Sequence, residues 1–353
     1  MTPEERRLRA LERAEERERD QEPDPARQAH GALESALFEI KRVIVGQEAM
    51  LERVLVALLA RGHVLLEGVP GLAKTLTIKT TAGVLGGSFH RIQFTPDLVP
   101  SDLVGTRIYR PDSGDFDTEL GPVFCNFLLA DEINRAPAKV QSALLEVMQE
   151  HQVTIGHTTY PVSDPFLVMA TQNPIESEGT YPLPEAQIDR FMLKVLVDYP
   201  THDDELTVVQ RSLVAAPELR QTLSIDDLLA VQESVRDVYV DPALVSWAVT
   251  VAGATRRPAD YGLDDLSELV AYGASPRGPI SLVQSGRALA LMRGRDYVVG
   301  ADLSELAKDA LRHRLVLSYR ALAEEADPDA ILDRVLAAVP MPQIDLGRRA
   351  VAA

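Results

Sequence analysis

Short apolar runs alternate with segments of helical periodicity up to about Pro200. A short apolar run bounded by turn signals is typical of a buried strand. Strands that alternate with helices favour a parallel sheet that is covered by helices on both faces. We therefore expect an α/β fold with strands at HVLLEG (63–68), FHRIQFT (89–95), CNFLLADE (125–132) and PFLVMATQN (165–173).

The pattern changes after Pro200. From Asp203 to about Ala338 the periodicity is helical, and it predicts no strand core. We place the domain boundary near Pro200. The predicted divisions are an extension at 1–30, an α/β domain at 31–200, an all-helical domain at 201–340 and a tail at 341–353.

Two segments interrupt the α/β pattern. Residues 95–124 are rich in Pro, Gly and Asp, which predicts a long functional loop or an insert. Residues 151–164 contain two β-rich runs around Gly-His-Thr-Thr, which predicts a hairpin ahead of the last strand.

The extension at 1–30 alternates Glu and Arg, with few large apolar groups. A helix that is polar on all sides has nothing to bury, so we expect a disordered or solvated segment. It contains seven Arg and nine Asp or Glu, which leaves −15 of the net charge of −17 to the rest of the chain. An acidic body argues against non-specific binding to nucleic acid, because that binding depends on Lys and Arg.

Cys125 is the only cysteine in the sequence. It excludes a disulfide framework or a cysteine-based zinc cluster within one chain, and its apolar surroundings predict a small buried side chain. The charged N-terminus lacks the apolar segment of a signal peptide. The longest apolar run, at 54–60, is too short to span a bilayer. We expect a soluble cytoplasmic protein without membrane insertion.

GVPGLAKT, which begins at Gly68, nearly matches the phosphate loop G-x-x-x-x-G-K-[ST], with Ala73 at the second glycine. The apolar strand before it and the helix-forming residues after it would direct backbone N–H groups at an anion. Lys74 would reach the β- and γ-phosphates, and the Thr75 hydroxyl would hold Mg²⁺. We expect Gly71 to adopt the unusual backbone angles and Ala73 to enter the helix with a negative φ. The alternative is a helix start with a surface lysine.

Polar side chains follow two other predicted strands. FLLADEINR places Asp131 and Glu132 at the carboxyl edge of the sheet, where α/β folds bind ligands. Asp131 would orient Mg²⁺ through its waters, and Glu132 would polarise the attacking water as a general base. VMATQNP places Asn173 where it would hold that water or the γ-phosphate. An ordinary Asn-Pro turn is the equal alternative.

Four segments together resemble the MoxR family of AAA+ ATPases: GVPGLAKT, LLADEINRAPAKVQSALLEVMQE, ATQNPIESEGTYPLPEAQIDRF and GASPRG. The resemblance covers about residues 33–340. It implies a P-loop AAA+ core, with a central parallel sheet flanked by helices, and an all-helical C-terminal lid. Residues 95–124 would be the helix-2 insert and 151–164 the hairpin before the sensor strand, as in the related magnesium-chelatase motors and MCM helicases. Alanine before the P-loop lysine is usual in this family.

The resemblance also implies the roles of individual residues. Asp131 and Glu132 match Walker B, and Asn173 matches sensor 1. Gly46 and Gln47 match the segment that lines the adenine pocket. The nucleotide-binding loop comprises Gly68, Val69, Pro70, Gly71, Leu72, Ala73, Lys74, Thr75 and Leu76.

Two arginines complete the implied site. Arg190, in AQIDRF, matches the arginine finger that acts on ATP in the neighbouring subunit. Arg277, in GASPRG, matches sensor 2, which contacts the γ-phosphate of its own subunit. Without the resemblance, Arg190 would be expected to pair with Asp189 or solvent, and Arg277 to be a surface residue.

The resemblance implies ATP and Mg²⁺ as cofactors, a homo-oligomeric ring (a hexamer) and chaperone-like remodelling of a protein client, with von Willebrand factor type A domain proteins as partners. One alternative is a nucleic-acid motor of the MCM kind. The acidic body and the hairpin tip at 156–159, which has no Lys or Arg, argue against it. A second alternative, an ATP-gated scaffold without turnover, is disfavoured because all the implied catalytic residues are present.

Overall fold

The computed structural model describes residues 25–112, 114–174, 180–215 and 217–344. The α/β part contains α1 (Pro25–Lys41), α2 (Glu48–Leu59), β1 (Val64–Glu67), α3 (Lys74–Val84), β2 (Phe89–Gln93), α4 (Pro100–Val104), β3 (Gly105–Arg110), β4 (Asp115–Leu120), β5 (Phe127–Asp131), α5 (Ala138–Glu150), β6 (Gln152–Ile155), β7 (Thr158–Pro161), β8 (Leu167–Gln172), α6 (Glu185–Ile188) and β9 (Leu193–Leu196). Most of the predicted N-terminal extension and C-terminal tail lie outside the described residues. Helix α1 begins at Pro25, ahead of the periodicity that the sequence shows from Leu33.

The lid contains α7 (His202–Ser212), α8 (Ile225–Asp237), α9 (Pro242–Arg256), β10 (Val270–Tyr272), α10 (Arg277–Met292), α11 (Gly300–Leu311), β11 (Val316–Leu317), α12 (Tyr319–Ala323) and α13 (Pro328–Ala338). Its helices were expected, and the short antiparallel pair β10–β11 was not. Across the described ranges, no helix combines the length and apolar character needed to cross a membrane.

In the described part of the chain, five parallel strands form the central sheet in the order β2-β5-β8-β1-β9. The predicted α/β architecture with a helical lid is confirmed. Strand β9 was not predicted from the sequence. It pairs with β1 at the edge of the sheet, where Lys194 forms an ion pair with Glu67 at 2.8 Å.

Alternating residues of the strands face two apolar clusters. Leu66, Leu129 and Met169 belong to the cluster shared with α1, α2 and the lid. Leu65 and Leu128 belong to the cluster beneath α5. Because both faces are buried, the strands appear in the sequence as continuous apolar runs rather than as alternating patterns.

The two inserted segments differ in how well the sequence predicted them. Residues 151–164 form the expected hairpin, in which β6 and β7 pair from Gln152↔Pro161 to Ile155↔Thr158. The segment 95–124 contains α4 and a second hairpin, β3–β4, which the sequence did not indicate. Its strands are mostly exposed on both faces, so no apolar alternation marks them.

Ion pairs hold the lid against the α/β core. Arg53 on α2 is buried and donates to Asp309 at 2.8 Å and to Glu305 at 3.1 Å, both on α11. The same Glu305 accepts from Arg293 at the end of α10, at 2.8 Å. Removal of one partner would leave a buried charge uncompensated, so this network fixes α11 against α2.

Cys125 and His63 are two buried groups at the sheet. Burial raises the pKa of the Cys125 thiol to about 12, which agrees with the inert side chain that the sequence predicts. His63 precedes β1, where one ring nitrogen lies 3.0 Å from the Val168 amide nitrogen and the other 3.1 Å from the Met148 carbonyl oxygen. Burial lowers the pKa of His63 to about 4, so the folded protein holds this ring neutral.

We expect His63 to make folding sensitive to acid. Its folded pKa of about 4 lies below the unfolded value, so its contribution is complete above pH ~6.5 and is lost as the pH falls towards 4. The loss should reach about 3 kcal/mol in the free energy of unfolding. Urea unfolding between pH 7 and pH 4 should show a weaker pH dependence in His63→Gln than in the wild type. His157→Gln, at the exposed hairpin tip, is the matched control, and equal slopes for His63→Gln and wild type would contradict the prediction.

Candidate functional site

A cavity of about 430 Å³ lies at the carboxyl edge of the central sheet. It brings together the phosphate loop, the two Walker B candidates and the sensor 1 candidate from three separate regions of the sequence. The lining residues are Gly68, Pro70 to Leu76, Arg91, Gln93, Asp131, Glu132 and Thr171 to Asn173. Val69, the remaining predicted loop residue, packs against the apolar core instead.

The loop leaves β1 through a position that only glycine can occupy. A Cβ atom at Gly68 would clash with the Val197 carbonyl oxygen. The Gly68 amide donates to the Gln172 carbonyl at 3.3 Å, which attaches the start of the loop to the end of β8. Gly71 has the expected positive φ, 87°. No atom lies within 4 Å of the position that a Cβ atom would occupy at this residue. The loop therefore folds as a phosphate loop requires.

The predicted conformation of Ala73 is wrong. Its φ is 57° and its ψ is 15°, in the left-handed region, and α3 begins one residue later at Lys74. Ala73 is thus the last residue of the turn, and its carbonyl accepts from the Thr77 amide at 2.9 Å. A left-handed conformation costs a residue with a Cβ atom about 1–2 kcal/mol. The left-handed conformation explains why the general motif has glycine at this position. Alanine adopts the same conformation here under strain.

The ammonium group of Lys74 closes the loop on itself. Its Nζ atom donates to the Gly68 carbonyl at 2.6 Å. Burial lowers the pKa of Lys74, although the carboxylates of Asp131, Glu132 and Glu67 act in the opposite direction. A phosphate in the loop would offer this partly desolvated cation a charged acceptor in place of a neutral carbonyl.

Asp131 and Glu132 both face the cavity although they are consecutive residues at the end of β5. Neighbouring residues of a strand point to opposite faces, so a change of direction is needed between them. Glu132 provides it with a left-handed φ of 55°. The Thr171 hydroxyl joins the pair, since it donates to Asp131 Oδ1 at 2.7 Å and accepts from the Glu132 amide at 2.8 Å.

Sequence analysis missed the partners of these carboxylates. Arg91 donates to Asp131 Oδ2 at 2.7 Å, and Gln93 donates to Glu132 Oε2 at 2.7 Å. Arg135 forms a second contact with Glu132, at 2.9 Å. The available signal was the strand FHRIQFT, in which Arg91 and Gln93 are two residues apart and share a face.

The residues at Asp131 fit a magnesium ion. The Thr75 hydroxyl and the Asp131 carboxylate both line the cavity, and Mg²⁺ is usually bound by one or two such oxygen ligands together with substrate phosphates. The guanidinium of Arg91 against Asp131 indicates that this carboxylate already accommodates a cation. Within the described ranges, His, Cys, Asp and Glu form no group of three or more that could hold a metal without a phosphate.

The candidate adenine segment lies beside the loop. Gly46 and Gln47 both have positive φ, 65° and 55°. Gln47 donates through Nε2 to the Asp198 carbonyl at 2.7 Å. Asp198 follows Val197, whose carbonyl lies against Gly68. The segment is therefore next to the loop entrance, outside the cavity described above.

The two candidate arginines lie away from the phosphate loop. Arg190 lines another cavity, between α5 and β6, and its Nη1 atom donates to the Leu145 carbonyl at 2.8 Å. Arg277 contacts Asp189 at 3.5 Å. The structure thus brings Asn173 to the phosphate-loop cavity, whereas Arg277 lies beside the residue that precedes Arg190.

The sequence and the fold of this chain match known proteins. Residues 63–193 match the model of the ATPase family associated with various cellular activities (AAA), and residues 265–335 match that of the AAA lid domain. Chaperone MoxR1 of Mycobacterium tuberculosis is 58% identical over 313 residues, which cover 89% of this chain and 83% of that protein. Protein MoxR of Paracoccus denitrificans is 31% identical over 89% of this chain and 97% of its own length. A crystal structure from Cytophaga hutchinsonii superposes with a TM-score of 0.86 at 46% identity, covering 95% of this chain and 99% of that one.

We expect Ala73→Gly to stabilise the protein. Glycine adopts the left-handed conformation without the Cβ penalty, which outweighs its greater freedom in the unfolded chain, so the free energy of unfolding should rise by about 1 kcal/mol. Urea unfolding without nucleotide measures this change. Ala230→Gly, at an exposed right-handed position inside α8, is the control and should destabilise by about 1 kcal/mol. Equal destabilisation by both substitutions would contradict the strained conformation of Ala73.

Proposed function

The chain belongs to the MoxR family of AAA+ ATPases, and we propose that it hydrolyses ATP with Mg²⁺ in an oligomeric ring and thereby remodels or activates a protein partner. The observation that carries the proposal is the convergence of Lys74, Asp131, Glu132 and Asn173 on one cavity at the edge of the sheet. These side chains supply a phosphate cradle, a metal ligand and a base, which are the parts that phosphoryl transfer needs.

The phosphate loop binds the nucleotide. The loop residues from Pro70 and the first turn of α3 line the cavity, and the N-terminus of a helix favours an anion. Lys74 exchanges the Gly68 carbonyl for β- and γ-phosphate oxygens. Thr75 and Asp131 would hold Mg²⁺, which when bound neutralises charge on the phosphates.

Glu132 is the general base in this proposal, and Asn173 positions the attacking water. Glu132 accepts hydrogen bonds from Gln93 and Arg135 on the same oxygen, Oε2. Asn173 is buried at the end of β8, beside the Thr171 hydroxyl that orients both carboxylates.

Arg190 acts in the site of the neighbouring subunit. Arg314 of the lid donates to the Asp189 carbonyl at 3.1 Å and to the Phe191 carbonyl at 2.8 Å, so it holds the backbone on both sides of Arg190. Arg277 binds the same Asp189. This placement does not favour the expected contact of Arg277 with its own γ-phosphate, and we propose instead that both arginines face the ATP of the adjacent subunit.

A protein partner is the substrate class that we propose. Chaperone MoxR1, a 58% identical relative, is named as a chaperone, a class of protein that acts on other proteins. The hexameric ring and a von Willebrand factor type A domain partner come from the family resemblance. The single buried cysteine suits a reducing cytoplasm.

The nucleic-acid motor remains the second candidate function. The exposed tip of the β6–β7 hairpin carries no Lys or Arg, and the net charge of −17 opposes phosphate binding. ATP turnover that rises on addition of DNA or RNA, with a steep dependence on salt, would favour this candidate over protein remodelling.

Lys74→Ala and Glu132→Gln should separate nucleotide binding from hydrolysis. Loss of the ammonium should weaken ATP binding by at least about tenfold, because a charge-assisted contact with the phosphates is removed. Glu132→Gln should keep binding and lose turnover by about 10²-fold or more. Calorimetric titration and phosphate release measure the two quantities. Lys79→Ala, an exposed lysine on the same helix, is the control. Turnover retained in Glu132→Gln would refute the role of the base.

Arg190→Ala should abolish turnover by about 10³-fold while leaving assembly intact. Mixing it with Lys74→Ala should restore activity, because a site can then combine the intact loop of one subunit with Arg190 of the next. Random mixing of equal amounts limits this rescue to about one quarter of wild type. The control mixture contains Arg190→Ala and the double variant Lys74→Ala/Arg190→Ala, which cannot form a complete site. No rescue in a mixed, assembled ring would show that Arg190 does not act between subunits.

A further inference from the structure

A chain of hydrogen bonds joins the two carboxylates of the site through β2. Arg91 donates through Nε and Nη2 to Asp131 Oδ2, at 3.2 and 2.7 Å. The same Nη2 donates to Gln93 Oε1 at 2.7 Å, and Gln93 Nε2 donates to Glu132 Oε2 at 2.7 Å. The order of contacts is Asp131–Arg91–Gln93–Glu132, with the candidate metal ligand at one end and the candidate base at the other.

This arrangement follows from the register of the sheet. Gln93 pairs with Asp131 in the β2–β5 ladder, so β2 ends level with the carboxylates. Arg91 is two residues earlier and extends along the same face. Its side chain is 48% exposed and lines the phosphate-loop cavity, so it can leave Asp131 without disturbing the core.

We propose that Arg91 is a tethered competitor of the divalent cation at Asp131. The inference rests on the ATPase function proposed above and concerns how the same site is regulated. The guanidinium of Arg91 donates to Asp131 Oδ2, while the Thr171 hydroxyl donates to Oδ1. A divalent cation and a guanidinium repel each other at such short range, so Arg91 and a metal do not share this carboxylate.

A different role for Arg91 makes the opposite prediction. An arginine in this cavity could be a direct phosphate ligand, because guanidinium groups bind phosphate strongly. Its removal would then weaken nucleotide binding. A competitor at Asp131 instead weakens metal binding, so removal of Arg91 would strengthen metal binding. The two roles are therefore distinguished by whether removal of Arg91 weakens nucleotide binding or strengthens metal binding.

The test is Mn²⁺ binding to the full-length protein, measured by electron paramagnetic resonance with a saturating non-hydrolysable ATP analogue. Arg91→Gln should lower the apparent Kd for Mn²⁺ by about tenfold, since it removes a like charge from the cation site. Arg91→Lys keeps the charge and loses the planar fork, and its Kd should lie between those of wild type and Arg91→Gln. Arg110→Gln, which removes an exposed arginine paired with Asp117 at 3.1 Å, is the control and should match wild type.

Unchanged or weaker Mn²⁺ binding by Arg91→Gln would overturn the proposal, and weaker binding of the ATP analogue without metal would assign Arg91 to the phosphates. Failure of the proposed function gives a different result, since the wild type itself would then bind neither the analogue nor Mn²⁺. Folding is not a confounding factor, because Arg91 is half exposed and lies outside both apolar clusters.

Discussion

Two consecutive residues at the end of one strand must face the same cavity, and the arrangement of the site depends on how the chain achieves this. The pleat of β5 would direct Asp131 and Glu132 to opposite faces of the sheet. The left-handed conformation of Glu132 reverses this, and the Thr171 hydroxyl holds both residues from the next strand. The adjacent positions of β5 and β8 in the sheet are therefore a requirement of the site as well as of the fold.

Two residues that line the same cavity have a strained backbone. Ala73 and Glu132 are non-glycine residues with positive φ, and each lies where a strand or a loop gives way to a short helix. Such conformations cost of order 1–3 kcal/mol each and persist only where the surroundings determine them. Here the surroundings are the paired strand ends on one side and the first turn of α3 on the other.

The sequence predicted the strands that are buried on both faces, because such strands appear as continuous apolar runs. It missed β3 and β4, whose faces are exposed, and β9, a four-residue edge strand. It predicted that Lys74, Asp131, Glu132 and Asn173 lie together, and all four line one cavity. It did not predict the backbone of Ala73, because the sequence alone does not show where the loop ends and the helix begins.

The partners of the candidate catalytic groups depend on tertiary structure in the same way. Arg91 meets Asp131 only because β2 and β5 pair in one particular register, and no local pattern encodes that register. Arg314 reaches the segment around Arg190 from the far end of the lid. The lid thus contacts the segment that carries Arg190, the residue that we propose to act in the neighbouring subunit.

A structure of the assembled protein with Mg²⁺ and a non-hydrolysable ATP analogue tests the central claim most directly. The account predicts the β- and γ-phosphates at Lys74, the cation between Thr75 and Asp131, Arg91 displaced from Asp131, and Arg190 of one subunit directed at the γ-phosphate of the next. A nucleotide bound elsewhere, or a cation at Asp131 with Arg91 still in contact with that carboxylate, would contradict it.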